Sequence, residues 1–297
     1  MSGEGFDLGP VARQLTSGGA FDWTQVVEAA ADVGQLYLHR DDAFITPTIV
    51  STGRWEPEEA AFLARTVRPG HLFLDVGANV GYFTLLGSRL VGPSGRVLAL
   101  EPEARNLALL HANVLRNRAL NVTVLGLAAG RESGLAGLTI SATNTGDHRT
   151  GSVDGHGGPI VPMVRLDELL QGGFDVAKID VQGADHDVIA GLADAIAANR
   201  DVVVLAEFWP TGMRERGTDP ADAISLYEDM GLAVTLLDAN GGESPAKLDQ
   251  LLRACEEGPR DFVNVVLRQP GATRRTMESA PSVSCLLYTS PSPRDRQ

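Results

Sequence analysis

The chain of 297 residues is long enough for one large α/β domain with an added N-terminal element, and its 43% hydrophobic content supplies a sizeable core. A formal net charge of −13 repels polyphosphate chains, so nucleic acid is not an expected partner. No apolar run approaches the about 18 residues of a membrane span, and Met1 to Asp7 lacks a basic-then-apolar signal pattern, so a cytoplasmic protein without membrane contact is expected.

Residues 1–20 are rich in Gly and weakly patterned. From Thr24 to His39 the apolar positions Val26, Val27, Ala30, Val33, Leu36 and Tyr37 recur at helical spacing, which predicts a helix capped by Thr24. Phe44 to Ser51 alternates and is rich in β-branched residues, the pattern of a short strand or hairpin. Pro57, followed by Glu58 and Glu59, opens a second helix, because proline suits the first turn and acids suit its positive end.

Beyond Gly70 the pattern becomes regular. Short apolar runs end in acids at Asp75, Glu101, Asp180 and Glu207, and helical patterns fill most of the gaps between them. Further strands are expected at Asn121–Leu127, Leu232–Leu237 and Asp261–Leu267, and a helix from Asp219 to Met230. Strands alternating with helices indicate βαβ units and a mostly parallel sheet, and near-continuous apolar strands indicate cover on both faces. Between Gly134 and Pro162 the expected helix is missing. Leu135–Ser141 reads there as an extra strand and 142–158 as a polar loop. The segment 284–297 breaks the style of the rest and resembles a translated sequencing adapter.

The chemistry centres on Asp75, Gly77, Gly81 and Glu101. A strand ending in Asp, then Gly-x-x-x-Gly, then a helix makes a tight turn against which a ligand can lie closely. An acid at the end of the next strand binds the two hydroxyls of a ribose. A dinucleotide site requires Gly where Asn79 stands, which argues against a nicotinamide dehydrogenase, and no phosphate-binding Gly-Lys-Ser/Thr occurs. The pattern Asp-x-Gly-x-x-x-Gly with a later acid suits S-adenosylmethionine, leaving a plain strand-to-helix turn as the bland alternative.

These stretches resemble the FkbM family of methyltransferases from about Gly53 to Leu267. The likeness is carried by Trp55–Pro57, Asp75–Thr84, Ala99–Pro102, Ala128–Gly130, Asn144–Asp147, Val164–Asp167 and Lys178–His186. The resemblance implies a Rossmann-like class I methyltransferase fold: a mostly parallel seven-stranded sheet with an antiparallel last strand, preceded here by an N-terminal helical extension. It divides the chain into an extension (1–52), a methyltransferase domain (53–268) and a tail (269–297).

The resemblance further implies S-adenosyl-L-methionine as cofactor and O-methylation of a small molecule, natural product or sugar. A relic cofactor-binding module and an N- or protein methyltransferase are the alternatives. The candidate cofactor residues are Glu56, Asp75, Gly77, Ala78, Asn79, Gly81, Glu101, Pro102, Ala128 and Asp180. Where the family usually carries Glu, this chain has Gln182 and Asp185. Glutamine hydrogen-bonds but is neither a base nor a strong metal ligand.

Asp180 and His148 are the catalytic candidates, since Asp180 closes a strand at the edge where ligands bind in open α/β sheets. His148 reads equally as a solvated loop residue, and His186 as a solvent-facing or helix-capping residue. Lys178, inside a strand, requires an acidic partner. Glu207 lines an acceptor pocket or pairs with an Arg, and Trp209 either walls that pocket or packs at a strand end. Asp147, Asp180, Asp185 and His186 have metal-compatible chemistry but no signature spacing, so no metal is assigned. Cys255 and Cys285 are expected as free thiols, and the oligomeric state is not readable.

Overall fold

A computed structural model of the chain describes residues 22–154, 158–170 and 172–270. The readings for 1–20 and for the adapter-like 284–297 lie outside those residues.

The extension contains strands and a helix, in the opposite order to that expected. Residues Val26–Ala31 (β1) and Gly34–His39 (β2) form an antiparallel hairpin, with Ala31 paired to Gly34 across a two-residue turn. Leu36 and Leu38 are buried on one side of it, a period of two that the apolar Tyr37 between them disguises in the sequence. The predicted Thr24 cap is replaced by Asp22, which caps a short 3₁₀ turn at Trp23–Gln25.

Ile45–Thr52 is a helix (α1) despite its β-branched residues. Its hydroxyls are consumed locally, as Thr48 donates to Phe44 O at 2.7 Å, Ser51 to Pro47 O at 2.7 Å and Thr52 to Thr48 O at 2.7 Å. Pro47 falls in the first turn, where its missing N–H costs nothing, and the Asp42 carboxylate accepts from Thr46 N at 2.6 Å. Helix α2 (Pro57–Thr66) begins where expected.

The α/β domain follows in chain order: β3 (Leu72–Val76), α3 (Tyr82–Val91), β4 (Arg96–Leu100), α4 (Ala104–Arg116) and β5 (Val122–Leu125). A small second sheet then replaces a helical crossover. It contains β6 (Ala128–Ala129), β7 (Gly134–Thr139), β8 (Arg149–Gly151) and β9 (Ile160–Val164), in the order β6-β9-β7-β8. Next come β10 (Val176–Ile179), α5 (Asp185–Ala190), α6 (Ala193–Ala198) and β11 (Val203–Phe208). The domain closes with α7 (Pro210–Glu215), α8 (Pro220–Asp229), β12 (Ala233–Leu237), β13 (Glu243–Pro245), α9 (Leu248–Glu257) and β14 (Val263–Arg268).

The main sheet has eight strands, in the order β13-β12-β14-β11-β10-β3-β4-β5. The strands β11, β10, β3, β4 and β5 run parallel, and the last strand, β14, is antiparallel to both its neighbours. The short edge strand β13 is the one added to the seven expected. Alternate residues supply two cores: Phe73, Val203 and Val266 pack with the hairpin, α1 and α2, whereas Leu74, Val204 and Leu267 pack with α5, α6 and α8. Strands covered on both faces explain the continuous apolar runs. Asn113 anchors the hairpin on α4, accepting from Tyr37 N at 2.6 Å and donating to Tyr37 O at 3.0 Å and Val80 O at 2.7 Å. Among the described residues no helix is long and apolar enough to cross a membrane.

Candidate active site

Parallel strands bring their carboxyl ends to one edge, and the acids that end β3, β4, β10 and β11 gather there. The turn after β3 is shaped by close backbone approach. Gly77 has φ 83° and its N–H donates to Leu100 O at 3.0 Å. A Cβ on Gly77 would lie 2.0 Å from the carbonyl oxygen of Asp180, so the loop after β10 claims that space before any ligand does.

Two pockets flank this turn. The first is bordered by Gly77, Glu101, Pro102, Ala128, His148 and Asp180. Glu101 is buried and accepts from Asn79 N at 2.8 Å on one oxygen and from Glu103 N at 2.8 Å on the other. Burial pushes its carboxyl up to about 7, against the pull of those two N–H groups. Each oxygen keeps a lone pair for a ligand diol.

The polar loop is a roof over this pocket. Thr145 O accepts from Asn79 Nδ2 at 2.9 Å and from Asn106 Nδ2 at 2.9 Å, and Thr145 N donates to Asp42 at 3.1 Å. The Asn144–Asp147 stretch is therefore a strap, and Asn106 and Asp42, both passed over in the sequence, are its anchors. His148 faces the first pocket, where its Nδ1 accepts from Ser141 N at 3.1 Å. In the neutral ring this leaves the other nitrogen protonated, a donor instead of a base. Burial also holds the imidazole below its usual value.

The second pocket is bordered by Trp55, Glu56, Lys178, Asp180, Glu207 and Phe262 among others, and shares Gly77, Asn79, Gly146, Asp180 and Gln182 with the first. Lys178 is 3% exposed, and its ammonium donates to Asp180 at 2.8 Å and lies 3.4 Å from Glu59, which supplies the acidic partners it requires. Gln182 donates to the other Asp180 oxygen at 2.9 Å. Glu56 precedes α2 with φ 42° and makes no capping bond; it turns into the pocket, where one carboxylate oxygen is buried without a partner. Desolvation and the neighbouring Glu59 hold Glu56 well above the usual carboxylate range. Of the four described non-glycine residues with positive φ, three (Glu56, Asn79 and Gln182) line this pocket, so backbone strain is concentrated there.

Other candidates sit elsewhere. Asp75 lies beneath the turn, accepting from Thr84 Oγ1 at 2.5 Å, and borders neither pocket. Gly81 packs under Leu110 at the start of α3, whereas Ala78 lines the second pocket. His186 is buried instead of solvent-facing, with Nε2 3.1 Å from Thr218 Oγ1. Asp185 accepts from Glu207 N at 3.1 Å behind the site, and burial pushes its carboxyl up to about 7. Among the described residues no three His, Cys, Asp or Glu side chains converge as a metal site. Glu207 lines the second pocket and has no Arg partner among the described residues. Trp209 is tied at the strand end, donating to Asp261 at 2.7 Å under the Arg149 guanidinium.

Residues 75–255 match the Methyltransferase FkbM domain family. The chain belongs to that family. No curated protein matches it. Among solved structures, methyltransferase FkbM from Methylobacillus flagellatus KT is similar at 14% identity over 70% of this chain, with a TM-score of 0.43. This FkbM-family chain spans 50% of that protein's length. A SAM-dependent O-methyltransferase from Thermotoga maritima is similar at 13% identity, covering 84% of this chain and 79% of its own, with a TM-score of 0.43. M. jannaschii TYW2 in complex with AdoMet is similar at 15% identity, covering 82% of this chain and 84% of its own, with a TM-score of 0.43.

Proposed function

We propose that this FkbM-family methyltransferase uses S-adenosylmethionine to methylate a hydroxyl of a small molecule, natural product or sugar, in the cytoplasm and without nucleic acid or membrane as partner. The observation that carries the reading is that Asp180 borders both pockets, so one carboxylate faces the pocket of Glu101 and the pocket of Glu56 and Glu207 at once. The residues fit the cofactor. Glu101 offers two carboxylate oxygens to a ribose diol, Gly77 to Val80 lead backbone past it into α3, and the free oxygen of Glu56 suits the cofactor's ammonium.

When bound, the cofactor supplies a methyl made electrophilic by its sulfonium. Lys178 and Gln182 each occupy one Asp180 oxygen, fixing the carboxylate and leaving a lone pair on each for the acceptor hydroxyl. Asp180 would orient that hydroxyl and accept its proton as the oxygen is methylated. His148, a donor at the first pocket, contributes to cofactor binding.

Calorimetric titration with S-adenosylhomocysteine tests this reading. Saturable binding is expected in the wild type, weakened at least about tenfold in Glu101→Gln, because a charge-assisted bond to the ribose is lost. Absence of binding by the folded wild type refutes the cofactor.

A further inference from the structure

Glu207 is 7% exposed and lies next to last in β11, a strand buried along its whole length. It lines the second pocket, yet one of its oxygens is fully buried without a partner, and its carboxylate has no hydrogen bond or ion pair among the described residues. The charged neighbours that act on it most are Asp180, Asp185, Glu56 and Glu59, all carboxylates. The two cations of the pocket are engaged elsewhere: Lys178 with Asp180 and Glu59, and Arg260 3.9 Å from Glu56 and stacked on Phe262 at 5.2 Å.

A carboxylate so placed is costly to the fold, and nothing among the described residues offsets the cost. A proton can satisfy it, and burial among like charges holds Glu207 well above the usual range. A bound cation satisfies it better. The cofactor brings a single net positive charge, and Glu56 also has an open oxygen to meet it, so Glu207 remains for something else. The walls suit the same ligand: Phe44 and Trp55 also line the pocket, and aromatic rings attract ammonium groups. A compact metal ion finds no three converging ligands among the described residues.

We infer that the acceptor carries a protonated amine beside its reacting hydroxyl, as in amino sugars and amino alcohols, and that Glu207 seats this ammonium against the aromatic wall of the second pocket. This rests on the methyltransferase reading above.

Matched pairs test it: glucosamine against N-acetylglucosamine, and 2-amino-1,3-propanediol against its N-acetyl derivative, titrated into protein saturated with S-adenosylhomocysteine. The free amines are expected to bind at least about tenfold more tightly than the amides, since a buried charge-assisted bond and cation–π contact are at stake. In Glu207→Gln, which keeps the side-chain shape, that preference is expected to fall below about twofold, with thermal unfolding reporting that the variant is folded. Equal or tighter binding of the amides overturns the inference. So does absence of binding by all four compounds to the saturated complex, or a preference that survives in Glu207→Gln. Failure of the wild type to bind S-adenosylhomocysteine is a separate result, and refutes the cofactor reading beneath it.

Discussion

Gly77 makes the closest backbone approach at the site, and a paired substitution isolates it. Gly77 and Gly217 share a φ of 83°, so alanine at either position incurs a similar left-handed penalty of about 1 kcal/mol. Replacing glycine also restricts the unfolded chain equally in both, and that contribution cancels in the difference. Only the surroundings differ. A Cβ on Gly217 meets nothing within 4 Å, whereas one on Gly77 lies 2.0 Å from Asp180 O and 3.0 Å from Asp180 C, both backbone atoms that cannot rotate away.

Relieving that overlap requires β3 and β10 to separate at their ends, an overpacking cost of about 1–3 kcal/mol. Urea unfolding is therefore expected to show Gly77→Ala about 2 kcal/mol less stable than Gly217→Ala, with the slope unchanged. Displacing Asp180 should also weaken S-adenosylhomocysteine binding in Gly77→Ala and leave it intact in Gly217→Ala. Equal stabilities, within about 0.5 kcal/mol, would show that the loop after β10 does not press on the turn. Gly77 would then be kept open by the ligand alone.

Three further outcomes follow from the buried titratable groups. Burial lifts the Glu101 carboxyl from 4.5 to about 7, so between those values the native state holds a proton that the unfolded chain has released, and stability falls as pH rises. Urea unfolding should show a loss of about 3 kcal/mol from Glu101 alone between pH 5 and pH 8; stability rising over that range would contradict it. Lys178→Met removes the one ammonium shared by Asp180 and Glu59, and is expected to cost about 3 kcal/mol at pH 8. That deficit should shrink toward pH 5 as Glu59, already held above its usual value by burial, takes up a proton. Cys255 is buried, its thiol pushed up to about 11 by desolvation, so in a Cys285→Ser background an aromatic disulfide reagent should label it only after unfolding.

The alternating core was legible because a strand buried on both faces has no polar interruption, and β3, β4, β10 and β11 each end in the acid that marks the edge. The extension was misread because the apolar spacing of Val26 to Tyr37 does not distinguish a helix from a hairpin when alanines occupy exposed strand positions such as Ala30. Gly34, with φ 133° beside a two-residue turn, was the available hint. In α1 the β-branched residues suggested a strand, and what reverses that preference is hydroxyl back-bonding and the Asp42 cap, neither of which a propensity records. Helix α9 did carry a signal, since Leu248, Leu251, Leu252 and Cys255 fall at helical spacing.

Within the site, the turn and the strand-end acids could be read because each depends on a few adjacent residues. The roof could not. Thr145 meets Asn79 and Asn106 across separations of 66 and 39 residues, and both bonds end on a backbone carbonyl that carries no side-chain identity. The same limit explains the Val164–Asp167 stretch, part of the family likeness. Asp167 accepts from Asp194 N at 3.1 Å and Ala195 N at 2.9 Å at the start of α6, with Arg165 2.8 Å away, so its task is to hold the helix that covers β10.

Charge balance follows a different logic, since it depends on how many acids the sheet edge collects. Lys178, in the central strand, can reach two carboxylates, and it takes Asp180 and Glu59. Glu207, one strand further along, is then left facing like charges, with no partner for its carboxylate among the described residues.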